Sequence, residues 1–434
     1  MGIQINGQTD TISATDGSFT ISGASGNLTG NLTGNVTGNV TGNLTGTAST
    51  ATAAATAYGL SGSPTLSGIT SVSTTNLTVN GNAYPSAGPL SNRNLIINGA
   101  MQVAQRGTSS TLGTYGTVDR FQPAFIAGAQ TQTQETLTSG SPYDEGFRYF
   151  LRIANTTAST SANTLRQFST KLEAQTIAQS GWNYTSSTSY VTVSFWVRAS
   201  VGQEYYAYLL TQDGTPYKYS FSLGTLSADT WTKITKTVPG NSNLQVDNNN
   251  EEGLRLVVSP FYGTDYTDSG VSVDTWATYS GSTRTPDYTN TWGGTTDATF
   301  DVTGFQLEVG SVATPFEHRS YGDELARCQR YFMRYTHVTT GADGGIYQVA
   351  GWTNNTAYGA IRFPTTMRTG PSFTYNGGTF YANGGVDTSI TLTQLGSSVH
   401  AAEVQVSDIG VSGGDAGWVR LNTSGHHMSF SAEL

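Results

Sequence analysis

Tyr190-Val-Thr-Val-Ser-Phe-Trp-Val-Arg198 is the stretch that decides the fold. In an extended chain successive side chains point to opposite faces. Val191, Val193, Phe195 and Val197 therefore share an inward face, and Thr192, Ser194, Trp196 and Arg198 share an outward one. A run rich in β-branched and aromatic residues with this period is a strand lying on a core. Comparable runs recur around it at Asn94–Asn98, Phe147–Ile153, Tyr205–Thr211, Trp231–Val238, Leu254–Ser259 and Thr299–Val309. Gly, Ser, Thr and Asn separate them, and a helical period is almost absent, which predicts a β-sandwich.

One helix interrupts the pattern. Asp323–Tyr335 places Leu325, Cys328, Tyr331 and Phe332 at 3-4 spacing, with Asp323 able to cap the N-terminus. After it the alternation returns at Ile346–Trp352, Tyr358–Phe363, Ser389–Gln394, Glu403–Asp408, Trp418–Asn422 and Met428–Leu434, which predicts a second all-β region.

The N-terminal part obeys a different rule. Five tetrads, NLTG, NLTG, NVTG, NVTG and NLTG, run from Asn27 to Gly46. As a helix they would put a glycine in every turn, each costing about 0.8–1 kcal/mol relative to alanine. As an extended chain they set Leu28, Gly30, Leu32, Gly34, Val36 and Gly38 on one apolar face and Asn27, Thr29, Asn31 and Thr33 on a polar one. A lone strand can neither bury that face nor pair its backbone, so the repeat predicts a fibrous shaft made from several copies of the chain. No charged residue occurs between Gly17 and Asn92, and Thr47–Ala57 is built only from small residues, which suit close packing around a threefold axis. Tyr84-Pro85 through Pro89 reads as a linker.

Composition excludes several functions. Only 11% of the 434 residues are charged, and the formal net charge is −9. Phosphate-backbone binding needs clustered Lys and Arg, which this chain lacks, and anionic membranes would repel it. A partner rich in hydroxyl groups is more compatible. Cys328 is the single cysteine, so no intrachain disulfide can form. The N-terminus has no basic region followed by an apolar stretch, and no apolar run is long enough to span a bilayer. An extracellular style of composition without an export signal fits release by lysis as part of a virion.

Three segments carry a family resemblance. The Asn-Leu/Val-Thr-Gly shaft followed by SGITSVSTTNLTVNG resembles the trimeric stalks of bacteriophage tail fibres. Asn94-Leu-Ile-Ile-Asn-Gly-Ala-Met101, Gln105-Arg-Gly-Thr-Ser109 and Val118-Asp-Arg-Phe121 resemble the opening of a jelly-roll module of such fibres. Gly304–Glu317 and Glu324–Phe332 resemble its closing strand and connecting helix, and VSFWVRAS (193–200) and LSADTWTKITKTVPG (226–240) are similar to strands of carbohydrate-binding jelly rolls. Phe430–Leu434 looks like the last strand of a fibre tip. The resemblance implies an all-β homotrimer. Residues 1–26 would attach to phage tail or baseplate proteins, 27–91 would form the β stalk, 92–320 a carbohydrate-binding-like jelly roll, 321–336 a connecting helix in the trimer core, and 337–434 a β-sandwich tip. It further implies a virion protein that binds host cell-surface polysaccharide. A structural connector without receptor binding and a polysaccharide depolymerase are the alternatives.

Sugar binding needs flat aromatic faces beside amides and carboxylates. Residues 262–296 match no part of the family pattern and supply both: Tyr262, Tyr266, Trp276, Tyr279, Tyr288 and Trp292, interleaved with acids and Asn290. Trp276, Tyr279, Tyr288 and Trp292 are the glycan-binding candidates. Packing on a neighbouring subunit and closure of the sandwich are the competing roles for the segment. Asp247 and Glu251 on one loop, with Asp265 and Asp268, give oxygen donors suited to Ca²⁺, although plain Asn-rich turns look the same. No other cofactor is expected. His426-His427 could send one imidazole per chain toward a threefold axis, or could simply sit on the tip. Cys328 is expected to be a small buried hydrophobe. Glu173, Glu204, Glu251 and Glu308 are carboxylates that no motif pairs for glycoside hydrolysis. No nucleophile elbow, catalytic triad or zinc spacing is present, so binding rather than catalysis is expected.

Overall fold

A computed structural model describes the backbone of Thr78–Val79 and Asn82–Ala83, residues 92–337, and residues 344–434 apart from short internal gaps. The tetrads, the segment 1–26 and nearly all of the 27–91 stalk lie outside the described residues.

The two short strands β1 (Thr78–Val79) and β2 (Asn82–Ala83) pair as a hairpin. The first sandwich is built from β3 (Ser109–Ser110), β4 (Gln122–Ile126), β5 (Ala129–Thr136), β6 (Tyr149–Thr157), β7 (Leu165–Glu173), β8 (Tyr190–Ala199), β9 (Glu204–Thr211), β10 (Tyr217–Thr225), β11 (Thr232–Pro239), β12 (Glu252–Tyr262), β13 (Thr275–Thr278) and β14 (Ala298–Val309). They form two six-stranded sheets, ordered β13-β10-β9-β12-β7-β4 and β11-β8-β14-β6-β5-β3. The chain passes from sheet to sheet between β6 and β7, β7 and β8, β8 and β9, and again around β11 and β12, so the facing surfaces close over one core. Phe195 and Phe305 stack there with centroids 4.5 Å apart, and Phe168, Tyr205 and Phe300 pack beside them.

The strand Tyr190–Ala199 sends Val191, Val193, Phe195 and Val197 into this core, as its alternation requires. Its other face is covered as well. Trp196 is buried with Leu137, Phe147 and Phe150, and Thr192 and Ser194 are buried too. Asn94–Asn98 is bent chain rather than a strand, held to the sheet by the Leu95 amide on the Leu307 carbonyl at 2.8 Å. β4, β5 and β7 carry no apolar alternation strong enough to be read as strands from the sequence, whereas β10 does alternate, Tyr217, Tyr219, Phe221 and Leu223 against Lys218, Ser220 and Ser222, and is a strand that the sequence reading misses.

Helix α1 (Ser141–Asp144) and α2 (Ala174–Ala178) are single turns, and α3 (Tyr321–Gln329) is the connecting helix. Its cap is Ser320, not Asp323. The Ser320 hydroxyl accepts from the Asp323 amide at 3.2 Å and donates to the Asp323 carboxylate at 2.7 Å. The helix ends at Gln329, so Tyr331 lies beyond it and Phe332 opens the next strand.

The remaining strands are β15 (Phe332–Thr336), β16 (Gly344–Thr353), β17 (Thr356–Arg362), β18 (Ser372–Asn376), β19 (Thr379–Ala382), β20 (Gly385–Asp387), β21 (Thr391–Ser397), β22 (Ala401–Ser407), β23 (Ala416–Leu421) and β24 (His427–Ser431). They make a three-stranded sheet, β15-β24-β18, and a seven-stranded sheet, β20-β19-β23-β16-β17-β22-β21. Met333, Met428 and Phe430 from the first share a core with Val349, Phe380, Val404 and Val419 from the second. No described helix is long and apolar enough to cross a membrane.

Candidate functional site

The segment 262–296 folds back over the outer face of the sheet that holds β9, β12 and β7. That face is apolar: Leu165, Tyr208, Leu210, Val257 and Tyr262 form a cluster, and Tyr266, Tyr279 and Tyr288 pack onto it. Arg284 lies over the Tyr266 ring at 4.7 Å. Lys218 reaches from β10 to the Arg284 carbonyl at 3.0 Å and also to the Thr283 carbonyl, which ties the segment down.

The four aromatic candidates are occupied by this packing. Trp292 is 0% exposed in the sandwich core, and its indole donates to the Thr299 carbonyl at 3.1 Å. Tyr288 donates its hydroxyl to the Ser259 carbonyl at 3.1 Å, and burial raises that phenol's pKa. Trp276 is half-buried, donates to the Pro239 carbonyl at 2.7 Å and meets Tyr219 edge-on. Tyr279 is half-buried against the tyrosine cluster. Trp292 therefore offers no ring face to a sugar, and the other three are committed to holding the segment in place.

The oxygen-rich candidates have local partners. Glu251 pairs with Arg368 at 3.3 Å, the Asp247 amide donates to Asp213 at 2.9 Å, and Asp268 accepts from the Gly270 amide at 2.7 Å. Asp265 is exposed, its amide donating to the Ala162 carbonyl at 2.9 Å. No three metal-ligating side chains converge among the described residues. Glu173 is gripped by Arg330 at 2.6 Å and by the Tyr331 hydroxyl, Glu308 by Thr314, and Glu204 by Ser222. Cys328 is fully buried, and burial pushes its thiol pKa well up. His427 faces the Gly425 carbonyl at 2.9 Å.

An open aromatic face exists on the other sandwich. Directly paired residues of antiparallel strands point the same way. The register Tyr381↔Trp418, Trp418↔Gln348, Ala350↔Tyr358, Tyr358↔Gln405 and Gln405↔Thr393 therefore places these side chains on one face of the seven-stranded sheet. Their neighbours Phe380, Val419, Val349, Ala357 and Val406 point into the core. Trp418 is 42% exposed. A register shift between Gly351 and Thr353 leaves Trp352 with no cross-strand partner, 75% exposed and edge-on to Tyr358 at 6.3 Å. Arg420 lies over Tyr381 at 4.1 Å. From β19 to β22 the face spans four strand spacings, about 19 Å. Aromatic plates, two primary amides and hydroxyls on a rigid sheet are the groups that stack on sugar C–H faces and satisfy sugar hydroxyls. The sequence shows Trp352 and Trp418 inside strands of alternating pattern, and their place on the polar side of that alternation is the signal that finds them.

No family model matches the chain, and no curated protein matches it. Solved structures with some likeness include the enzymatically active domain of tailspike protein 4 from bacteriophage CBA120, at 8% identity and a TM-score of 0.28 over 50% of this chain and 21% of that one. The chain thus spans about a fifth of that tailspike domain's length. Others are a putative sugar binding protein from Bacteroides thetaiotaomicron, at 12% identity and 0.26 over 50% of this chain and 99% of that one, and a xylan-binding domain from Paenibacillus barcinonensis, at 12% and 0.23 over 49% and 99%.

Proposed function

We propose that this chain is the adhesive subunit of a virion fibre, a homotrimer that holds host-surface glycan on the outer face of its seven-stranded sheet. The observation that carries this reading is the exposure of Trp352 and Trp418 on one rigid face with Tyr358, Tyr381, Gln348 and Gln405. Two exposed indoles on one sheet face make an apolar patch rimmed by polar groups, the kind of surface that marks an interaction site. Indoles lose little conformational freedom on binding and bury large areas, so they suit the centre of a contact. Three copies on one shaft would turn weak sugar contacts into firm adhesion through effective concentration. The tetrads at Asn27–Gly46 support the trimer, since their apolar face needs copies of itself. The N-terminal segment would then meet tail or baseplate proteins, and the work done is binding, with no bond cleaved.

The test is a glycan array probed with the full-length chain and with the Trp352→Ala/Trp418→Ala variant. The expected result is retention of a defined set of glycans and at least tenfold weaker retention by the variant, with thermal unfolding unchanged. Equal retention by both proteins removes this face from the reading, and no retention by either removes glycan binding.

A further inference from the structure

A second polar cleft lies between the two sandwiches, away from the aromatic face. It has a volume of about 380 Å³ and is lined by Arg106, Ser110, Tyr115, Arg334, Thr374 and Ser431. In a chain of net charge −9, two arginines facing one cleft stand out.

The two arginines differ in what holds them. Arg106 is neutralised, with one nitrogen 3.3 Å from Asp119 and another 3.1 Å from Glu433, and its guanidinium stacks 3.4 Å over the Phe332 ring. Arg334 has no carboxylate within ion-pair distance among the described residues. Its Nε donates to the Ser429 hydroxyl at 3.0 Å and one Nη to the Arg106 carbonyl at 2.7 Å. A guanidinium carries five N–H donors, so three of Arg334's are left without a protein partner. Burial and the neighbouring Arg106 charge lower its pKa, while Asp119 opposes them. That is the state of a cation short of an anion. Arg334 is half-buried, so an anion that meets these donors forms a charge-assisted contact at the mouth of the cleft.

We propose that this cleft binds one acidic sugar residue, its carboxylate on the open side of the Arg334 fork and its hydroxyls on the Ser110, Thr374 and Ser431 rim. A planar guanidinium with free parallel donors matches a carboxylate in two-pronged geometry. The surrounding hydroxyls select a polyol carrying that carboxylate over a bare anion. The site is separate from the aromatic face and needs nothing from it.

Isothermal titration of the full-length chain with D-glucuronate, glucose and acetate tests this. Glucuronate is expected to bind at least tenfold more tightly than either control. Arg334→Met should weaken it at least tenfold, and Arg334→Lys should keep part of that loss because the charge stays while the fork goes. Thr374 is exposed, so Thr374→Trp blocks the cleft without disturbing a buried group and should abolish binding even if an arginine variant fails to fold. Trp352→Ala/Trp418→Ala should bind glucuronate as the unmodified chain does, which separates this site from the aromatic face. Acetate matching glucuronate overturns the sugar assignment. Undiminished binding by Thr374→Trp, or no binding of glucuronate by the unmodified chain, overturns the site.

Discussion

Arg120 is ion-paired with Glu433, although 313 positions of sequence separate them. Both side chains are buried, and the Arg120 guanidinium lies 3.5 Å over the Tyr331 ring. Around this pair the 432–434 segment threads against the first sandwich. Lys171 donates to the Leu434 carbonyl at 2.6 Å and Arg106 to Glu433, while Arg368 of the second sandwich holds the Ala432 carbonyl at 2.8 Å. One carboxylate thus answers two buried guanidinium groups.

Glu433→Gln is expected to destabilise the fold by about 3–5 kcal/mol, because it strands the buried Arg120 charge. Urea unfolding of the two proteins measures it. A midpoint shift equivalent to less than about 1 kcal/mol would mean water reaches Arg120.

Lys218 gives a pH signature. Burial pushes its ammonium down from 10.5 to about 8, and it has only carbonyl and hydroxyl partners. Below pH 8 the folded and unfolded chains both hold the proton. Between about 8 and 10.5 the unfolded chain keeps it and the folded chain has released it, so stability rises with pH across that window, by at most about 3 kcal/mol. Lys218→Met is expected to remove this rise. Denaturation at pH 8 and pH 10 for both proteins reads it, and parallel curves would contradict it.

Trp292→Ala leaves a cavity in the core and is expected to cost about 3–5 kcal/mol. Trp276 is half-buried with one indole hydrogen bond, so Trp276→Ala should cost clearly less. Calorimetric unfolding ranks the two, and the reverse order would mean that the 262–296 segment is held by its rim rather than by its centre.

Deleting residues 27–46 is expected to lower the oligomeric state from three chains toward one, read by sedimentation of the full-length and deleted proteins. A full-length product that sediments as a single chain would remove the fibre reading.

The β architecture is legible in the sequence wherever one strand face is apolar and the other polar, as at Tyr190–Arg198. It is not legible where glutamine and threonine fill buried positions. β5 reads Ala-Gln-Thr-Gln-Thr-Gln-Glu-Thr, yet Gln130 and Gln132 are buried. The aromatics of 262–296 look like loop residues free to meet a ligand. The counter-signal lies in β9 and β12, where Tyr205–Leu210 and Leu254–Tyr262 are almost unbroken apolar runs. A run of that kind has both faces covered, so something must lie over the outer one. The cap and the end of α3 are hard to read for a simple reason. Ser320 and Asp323 both can cap, and the apolar spacing continues past Gln329 into a strand whose alternation coincides with it for a few residues.

The ion pairs around 432–434 bear on how a load would travel. A pull on the outer face near Trp352 would enter the sheet, cross into β24 through the shared core, and meet the first sandwich at Arg120–Glu433, Arg330–Glu173 and Arg368–Glu251. Bending at that joint would have to part Arg120 from Glu433, a pair buried on both sides, and draw Glu173 away from Arg330. If the outer face is the one pulled, this joint would resist bending, where a glycine hinge would yield.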